Sequence, residues 1–130
     1  MRAVLDTNVL VADSLTHPDF EVAISSLSWA ELGYGVREAP NRAERARRET
    51  RMLRLRTLLG EGISFDDAAA EAYEAVCGLV LDQGREVRGR VVDLMIAATA
   101  LAHGAVVITR NADDFRGLED MVGIVDDRVR

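Results

Sequence analysis

The sequence contains no lysine; all 16 of its basic residues are arginine. It has no GxxxxGK[ST] or GxGxxG pattern, which excludes nucleotide hydrolysis of the P-loop type. Its single cysteine, Cys77, has no partner for an internal disulfide. That cysteine lies in the apolar helical pattern AAAEAYEAVCGLVL, so core packing is expected, and a reducing cytoplasm fits. No apolar run approaches the ~20 residues needed to span a bilayer. The longest, LMIAATALAHGAVVI, is interrupted by His103 and Gly104 and reads as a buried helix followed by a buried strand. The opening MRAVLDTN reaches an acid and a turn too soon for a secretory hydrophobic segment. The two histidines, His17 and His103, have no partner at metal-ligand spacing, which argues against zinc.

What is present points to one globular domain over residues 1–130. A chain of this length buries a core without staples, and 48% hydrophobic with 29% charged residues is an ordinary soluble composition. The net charge of −6 argues against a non-specific grip on nucleic acid as the main activity. It does not exclude a nucleic-acid substrate, because the charge is unevenly spread. Half of the arginines fall between Arg37 and Arg56. Arginine grips phosphate through paired hydrogen bonds. The same segment also reads as a solvated helix face with internal pairs such as Glu44 and Arg48.

Strand and helix patterns alternate, which predicts a parallel sheet built from βαβ units. The expected strands are Arg2–Leu5, Val22–Ser25, Ile63–Phe65, Ala105–Thr109 and Gly123–Val125. The expected helices are a short one after Asn8, then Ser28–Val36, Arg42–Leu59, Asp66–Leu81 and about Val91–His103, with a helical turn over Ala112–Gly117. Asp66 is a suitable N-cap, and Gly60 and Gly104 are suitable helix stops. The Arg42–Leu59 helix is expected to turn Met52, Leu55, Leu58 and Leu59 toward the domain or a partner.

Four acids, Asp6, Glu31, Asp93 and Asp114, stand where apolar runs end and helices begin. Ligands of open α/β sheets bind beyond the carboxyl ends of the strands. Carboxylates gathered there repel one another unless a cation is present, and oxygen donors suit Mg²⁺ or Mn²⁺. Each acid also has a local explanation. Asp6 and Asp93 are possible N-caps, Ser28-x-x-Glu31 matches a capping box, and Asn111-x-x-Asp114 resembles one. Capping accounts for each acid singly but not for acids at every turn along one edge. Other acid-pocket folds fit less well. A phosphotransfer receiver needs a lysine beside its acids. A phosphoaspartyl phosphatase needs lysine too, and an aspartate where this chain has Asn8.

The segments LDTNVL, SSLSWAELGYGV, RVVDLMIAATALAHGA and VVITRNADDF, in this order and spacing, resemble PIN-domain proteins, specifically the VapC-type ribonuclease toxins of bacterial toxin–antitoxin pairs. The resemblance runs essentially end to end. It implies a three-layer α/β/α sandwich with a mainly parallel sheet of about five strands, Mg²⁺- or Mn²⁺-dependent endoribonuclease activity, a cognate antitoxin as inhibitor, and a homodimer in the cytoplasm. It places the catalytic acids at Asp6, Glu31, Asp93 and Asp114, with Asp113 an adjacent candidate for the last. Thr7, Asn8, Thr109 and Asn111 are the supporting polar residues. Asp6 and Asp93 are expected as direct metal ligands, and Glu31 and Asp114 as ligands directly or through water. The stretch before Glu31 is short, with only a stub of a first helix. The alternative from a different class is a non-catalytic PIN-like module that binds RNA or protein.

Overall fold

A computed structural model describes residues 1–12 and 15–128. Ten elements follow in chain order. They are β1 (Arg2–Leu5), α1 (Thr7–Val11), β2 (Glu21–Ala23), α2 (Ser26–Arg37), α3 (Arg42–Leu59), α4 (Asp67–Asp82), α5 (Val91–Ala102), β3 (Val106–Thr109), a 3₁₀ turn (Ala112–Phe115) and β4 (Ile124–Asp126). The strands form one sheet in the order β2-β1-β3-β4, with every neighbouring pair parallel.

Alternation along the strands sends successive side chains to opposite faces. Val4 and Val107 join α4 and α5 in one core, with Val76, Val80, Leu94, Ile96 and Phe115. Ala3, Leu5 and Ile108 join α1, α2 and α3 in the other, with Val9, Leu10, Trp29, Leu32 and Leu55. The result is the expected three-layer sandwich. Helix α5 is apolar nearly all round, and its residues Leu94, Ile96, Ala97, Ala98, Thr99 and Ala100 are buried. Cys77 is half-buried and packs against this core.

The expected count of about five strands is corrected to four among the described residues. Ile63–Phe65 contributes only an isolated parallel bridge between Ser25 and Ile63. Ile63 donates to the Ile24 carbonyl at 2.8 Å and accepts from the Ser26 amide at 2.9 Å. Ser26 already begins α2, and Asp66 caps α4 through the Ala69 amide at 2.9 Å, so the ladder cannot lengthen on either side. Gly62 is needed at this junction, because a Cβ there would lie 2.7 Å from the Ser26 nitrogen.

Helix α3 is anchored by few side chains. Leu55 is buried, Met52 and Leu59 are partly so, and Arg56 lies over the Trp29 ring at 4.6 Å. A fully buried leucine contributes on the order of 2 kcal/mol. Leu58, expected on the packed side, is instead 60% exposed. The 100° turn per residue that seats Leu55 and Leu59 carries position 58 past the edge of the contact. The expected Glu44–Arg48 pair forms, with Nε to Oε1 at 3.0 Å.

Candidate active site

The carboxyl ends of β1 and β3 lie side by side, because Leu5 is paired with Ile108. Asp6 follows β1 directly, and its amide donates to the Ile108 carbonyl at 2.9 Å. Its side chain caps α1, with Oδ1 accepting from the Thr7 amide at 2.9 Å. Oδ2 accepts from the Thr109 hydroxyl at 2.9 Å. Asp6 is only 4% exposed. Burial pushes its carboxyl up, the hydrogen bonds from Thr109 and Thr7 pull it down, and the charges of Glu31 and Asp114 raise it further.

Thr109, at the end of β3, is fully buried and serves three neighbours. Besides donating to Asp6, its oxygen accepts from the Asn111 amide at 3.0 Å and lies 3.4 Å from Asn8 Nδ2. Asn8 Oδ1 in turn accepts from the Arg110 amide at 3.0 Å. The turn after β3 is thus fastened to the start of α1. The Thr7 hydroxyl donates to Glu31 Oε1 at 2.6 Å and lies 3.0 Å from the Ser28 hydroxyl. All four supporting residues therefore belong to one hydrogen-bonded network around Asp6.

The capping explanations fail for three of the four acids. The N-cap of α2 is Ser25, whose hydroxyl accepts from the Ser28 amide at 3.2 Å, so Glu31 lies in the second turn and caps nothing. The N-cap position of α5 is Arg90, without a side-chain capping bond, and Asp93 is the third residue inside the helix. Asn111 makes no side-chain capping bond to the 3₁₀ turn that carries Asp114. Only Asp6 is a cap.

Asp93 is half-buried and pushed up to about 7. The causes are burial first, then the charges of Asp6, Asp114 and Glu31, with Arg90 opposing them. The electrostatics therefore join the four acids into one group. They also separate the two neighbouring aspartates: the Asp114 charge reaches Asp6 and Asp93, while Asp113 is exposed and faces Arg128. A cleft of about 340 Å³ lined by Glu31, Gly89, Arg90, Val91, Val92 and Asp93 opens at this point. Another, of about 350 Å³, runs from Thr7 and Glu31 to Glu44, Arg48 and Arg51 of α3.

The donors suit a hard divalent cation: they are all oxygen, and their mutual repulsion has no hydrogen bond to relieve it at Asp93. Among the described residues no group of three or more acidic, histidine or cysteine side chains is drawn close enough to hold a metal ion by itself. An open, loosely spaced set fits Mg²⁺-type ions, which keep several waters and take one or two carboxylates plus substrate oxygens.

Three residues at the site carried no signal in the sequence. Ser28 stood within a capping motif that proved not to cap. Gln83 lay in the polar stretch DQGREVRG, Asp82–Gly89, and Arg90 stood at the head of RVVDLMIAATALAHGA with no role attached to it. Their roles depend on contacts with the 3₁₀ turn more than twenty residues away, which no local pattern reveals.

By class this is a three-layer acid-pocket domain. Residues 3–120 match the PIN domain family, and the chain belongs to it. It is similar to the ribonuclease VapC4 of Mycobacterium tuberculosis, with 31% identity over 127 residues that cover 92% of this chain and 93% of the relative. It is also similar to the ribonuclease VapC5 of the same organism, with 33% identity over 128 residues covering 93% and 90%. The fold is similar to the crystal structure of VapBC-5 from M. tuberculosis, a member of the VapBC family of toxin–antitoxin systems. That match has a TM-score of 0.81 and 34% identity, covering 96% of this chain and 98% of the other. A second similar structure is VapBC2 from Rickettsia felis bound to a DNA fragment from their promoter, with a TM-score of 0.79, 25% identity and coverage of 97% and 98%.

Proposed function

We propose that this chain is a metal-dependent endoribonuclease, the toxin of a toxin–antitoxin pair, acting as one catalytic domain over residues 1–130. The observation that carries the reading is geometric: Asp6 stands at the carboxyl end of β1 bound to Thr109 of β3, Glu31 is joined to it through Thr7, and Glu31 and Asp93 line one cleft. Membership of the PIN family and relatives that are VapC ribonucleases support it.

Asp6 and Asp93 would hold Mg²⁺ or Mn²⁺ directly, with Glu31 and Asp114 completing the site directly or through water. When bound, such a cation lowers the pKa of water and offsets charge building on the phosphate oxygens. The chain's own residues do the rest. Thr109 and the Thr7 amide fix both oxygens of Asp6, which sets the direction of its free lone pairs. Thr7 fixes one oxygen of Glu31 and leaves the other to orient a water or accept its proton. The open clefts on either side admit a single strand, whose phosphates are accessible and whose unstacked bases are available for reading.

The cognate antitoxin is the second partner, in keeping with the VapBC complexes that share this fold. Its docking region and that of a second copy are assigned to α2 and α3. There Tyr34, Leu53 and Leu58 are 67%, 67% and 60% exposed, and a groove of about 450 Å³ is lined by Met52, Leu53, Arg37, Arg45 and Arg56 among others. The expected compartment is the cytoplasm, where RNA and antitoxin meet. Among the described residues no helix is long and apolar enough to cross a membrane.

The test is cleavage of single-stranded and hairpin oligoribonucleotides by the purified chain, with Mg²⁺, with Mn²⁺ and with chelator. Cleavage that needs the metal and disappears in Asp6→Asn supports the reading. RNA binding without cleavage by the unaltered chain would favour the non-catalytic alternative.

A further inference from the structure

The loop between α4 and α5 grips the turn that carries Asp114. Gln83 Nε2 donates to the Gly117 carbonyl at 2.9 Å. Arg85 Nη1 donates to the Arg116 carbonyl, and Arg90 Nη2 donates to the carbonyl of Asp114 itself. Donors at 83, 85 and 90 thus meet acceptors at 117, 116 and 114, so the two segments run in opposite directions. The fit is close. A Cβ at Gly117 would fall 2.2 Å from Gln83 Oε1 and 3.0 Å from Arg85 Nη1, and the glycine holds a φ of +95°.

Arg90 is the end of this clasp nearest the acids. It precedes α5 and stands three residues before Asp93. Its charge faces both Asp114 and Asp93, and its Nη1 is buried without a hydrogen-bond partner. A covered guanidinium nitrogen with no acceptor is costly. The bond to the Asp114 carbonyl and the two carboxylates nearby offset that cost. The same side chain therefore touches the element that carries one acid and begins the helix that carries another.

We propose that Arg90, assisted by Gln83 and Arg85, is a positioning residue that holds the Asp114 turn in register with Asp93, so that both carboxylates serve one cation. The inference rests on the metal-dependent reading above. Partners in the shell outside metal ligands tune affinity by orienting those ligands. Arg90 touches no reacting atom in this role. It acts through the placement of Asp114, and its positive charge lets the two carboxylates stand near each other before a cation arrives.

The experiment compares the unaltered protein with Arg90→Met, Arg90→Lys and Gln83→Met. Three quantities are read: hydrogen–deuterium exchange over residues 111–118 without metal, Mn²⁺ affinity by calorimetric titration, and cleavage at limiting and saturating Mn²⁺. Arg90→Met is expected to speed exchange in this segment and weaken Mn²⁺ binding by ~10–100-fold. Saturating Mn²⁺ should restore most of the cleavage. Arg90→Lys keeps the charge and one donor, so it should fall between the two. Unchanged exchange and affinity in Arg90→Met would overturn the proposal. So would a lower melting temperature with normal Mn²⁺ affinity, which marks a merely structural residue. Should Arg90→Met not fold, Gln83→Met, at the exposed end of the clasp, is expected to move exchange and affinity in the same direction by less, and no movement overturns the proposal. Failure of the unaltered chain to bind Mn²⁺ or cleave RNA would instead refute the metal-dependent reading, with the exchange arm still deciding whether the clasp exists.

Discussion

The two halves of the acid site are built differently. On the strand side, Asp6 is almost wholly covered, and each of its oxygens accepts a hydrogen bond from a fixed donor. On the helix side, Asp93 is held up to about 7 by burial and by three neighbouring carboxylates, with no hydrogen bond among the causes. The first half is set by directional bonds before any ligand arrives. The second is under electrostatic tension that a cation relieves. Orientation is thus stored in one half and affinity in the other.

The largest expected effect treats the halves alike. Asp6→Asn and Asp93→Asn should each abolish RNA cleavage, with losses beyond the ~10–100-fold typical of an outer-shell partner. Both variants should fold without metal, as circular dichroism and thermal melting will show. Stability should then separate them. Asp93→Asn removes repulsion and should raise the melting temperature of the metal-free protein. Asp6→Asn exchanges a well-bonded acceptor for an amide and should gain less or nothing. Equal shifts would break the comparison.

Thr109→Val comes next. It strips Asp6, which is buried, of one of its two donors and leaves the Asn111 amide without its acceptor. The expected cost is ~1–3 kcal/mol in denaturant unfolding, with cleavage reduced and metal affinity weakened. If folding stability is unaffected, the strand side is not preorganised by this hydroxyl.

The dependence on pH sharpens the helix side. Because the folded Asp93 carboxyl lies near 7, the folded chain holds a proton that the unfolded chain releases once pH passes the ordinary aspartate value of 3.8. Its contribution to stability is therefore greatest at low pH, declines as pH rises toward 7, and is flat above. The melting temperature of metal-free protein minus that of Asp93→Asn should fall across this window, by a few degrees given its partial exposure. Saturating Mg²⁺ should flatten the difference, and a rising one would reverse the assignment of repulsion.

The smallest effect lies outside both halves. Replacing Arg47, Arg48 and Arg51 with Gln should weaken RNA or antitoxin binding and flatten its dependence on salt without melting the fold. Arg47 and Arg48 are tied to Glu44, so Arg51, which lines the cleft beside Glu31, should account for most of the change. Unchanged affinity and salt slope for both ligands would return α3 to a solvated face.

The sequence made the sheet, both flanking layers and the place of Asp6 at the end of β1 legible, because apolar periodicity and the position of an acid after a strand are local signals. Ser25 and Ser28 are both competent caps, and the choice between them was made by Ile63, whose carbonyl fixes the Ser26 amide from 37 residues away. The same bond explains why Ile63–Phe65 looked like a strand yet pairs at one point only. Asp93 resembled a cap because an acid near a helix start suits that role, but the helix begins at Val91, as its apolar pattern indicated, and leaves Asp93 inside the first turn. The clasp on the Asp114 turn was invisible because its acceptors are backbone carbonyls, which every sequence has.

Asp6 and Thr109 are 103 residues apart in sequence, yet Thr109 supplies one of the two bonds that orient Asp6. β1 lies inside the sheet, and its neighbour toward this side, β3, follows α5. During synthesis, domains assemble from the emerging chain, and the β1–β3 pairing cannot form until residue 109 is free of the ribosome. The early part of the nascent chain therefore carries Asp6 and Glu31 without the strand that completes their surroundings. The bond that orients Asp6 is thus missing from the nascent chain until β3 has been made and has joined β1.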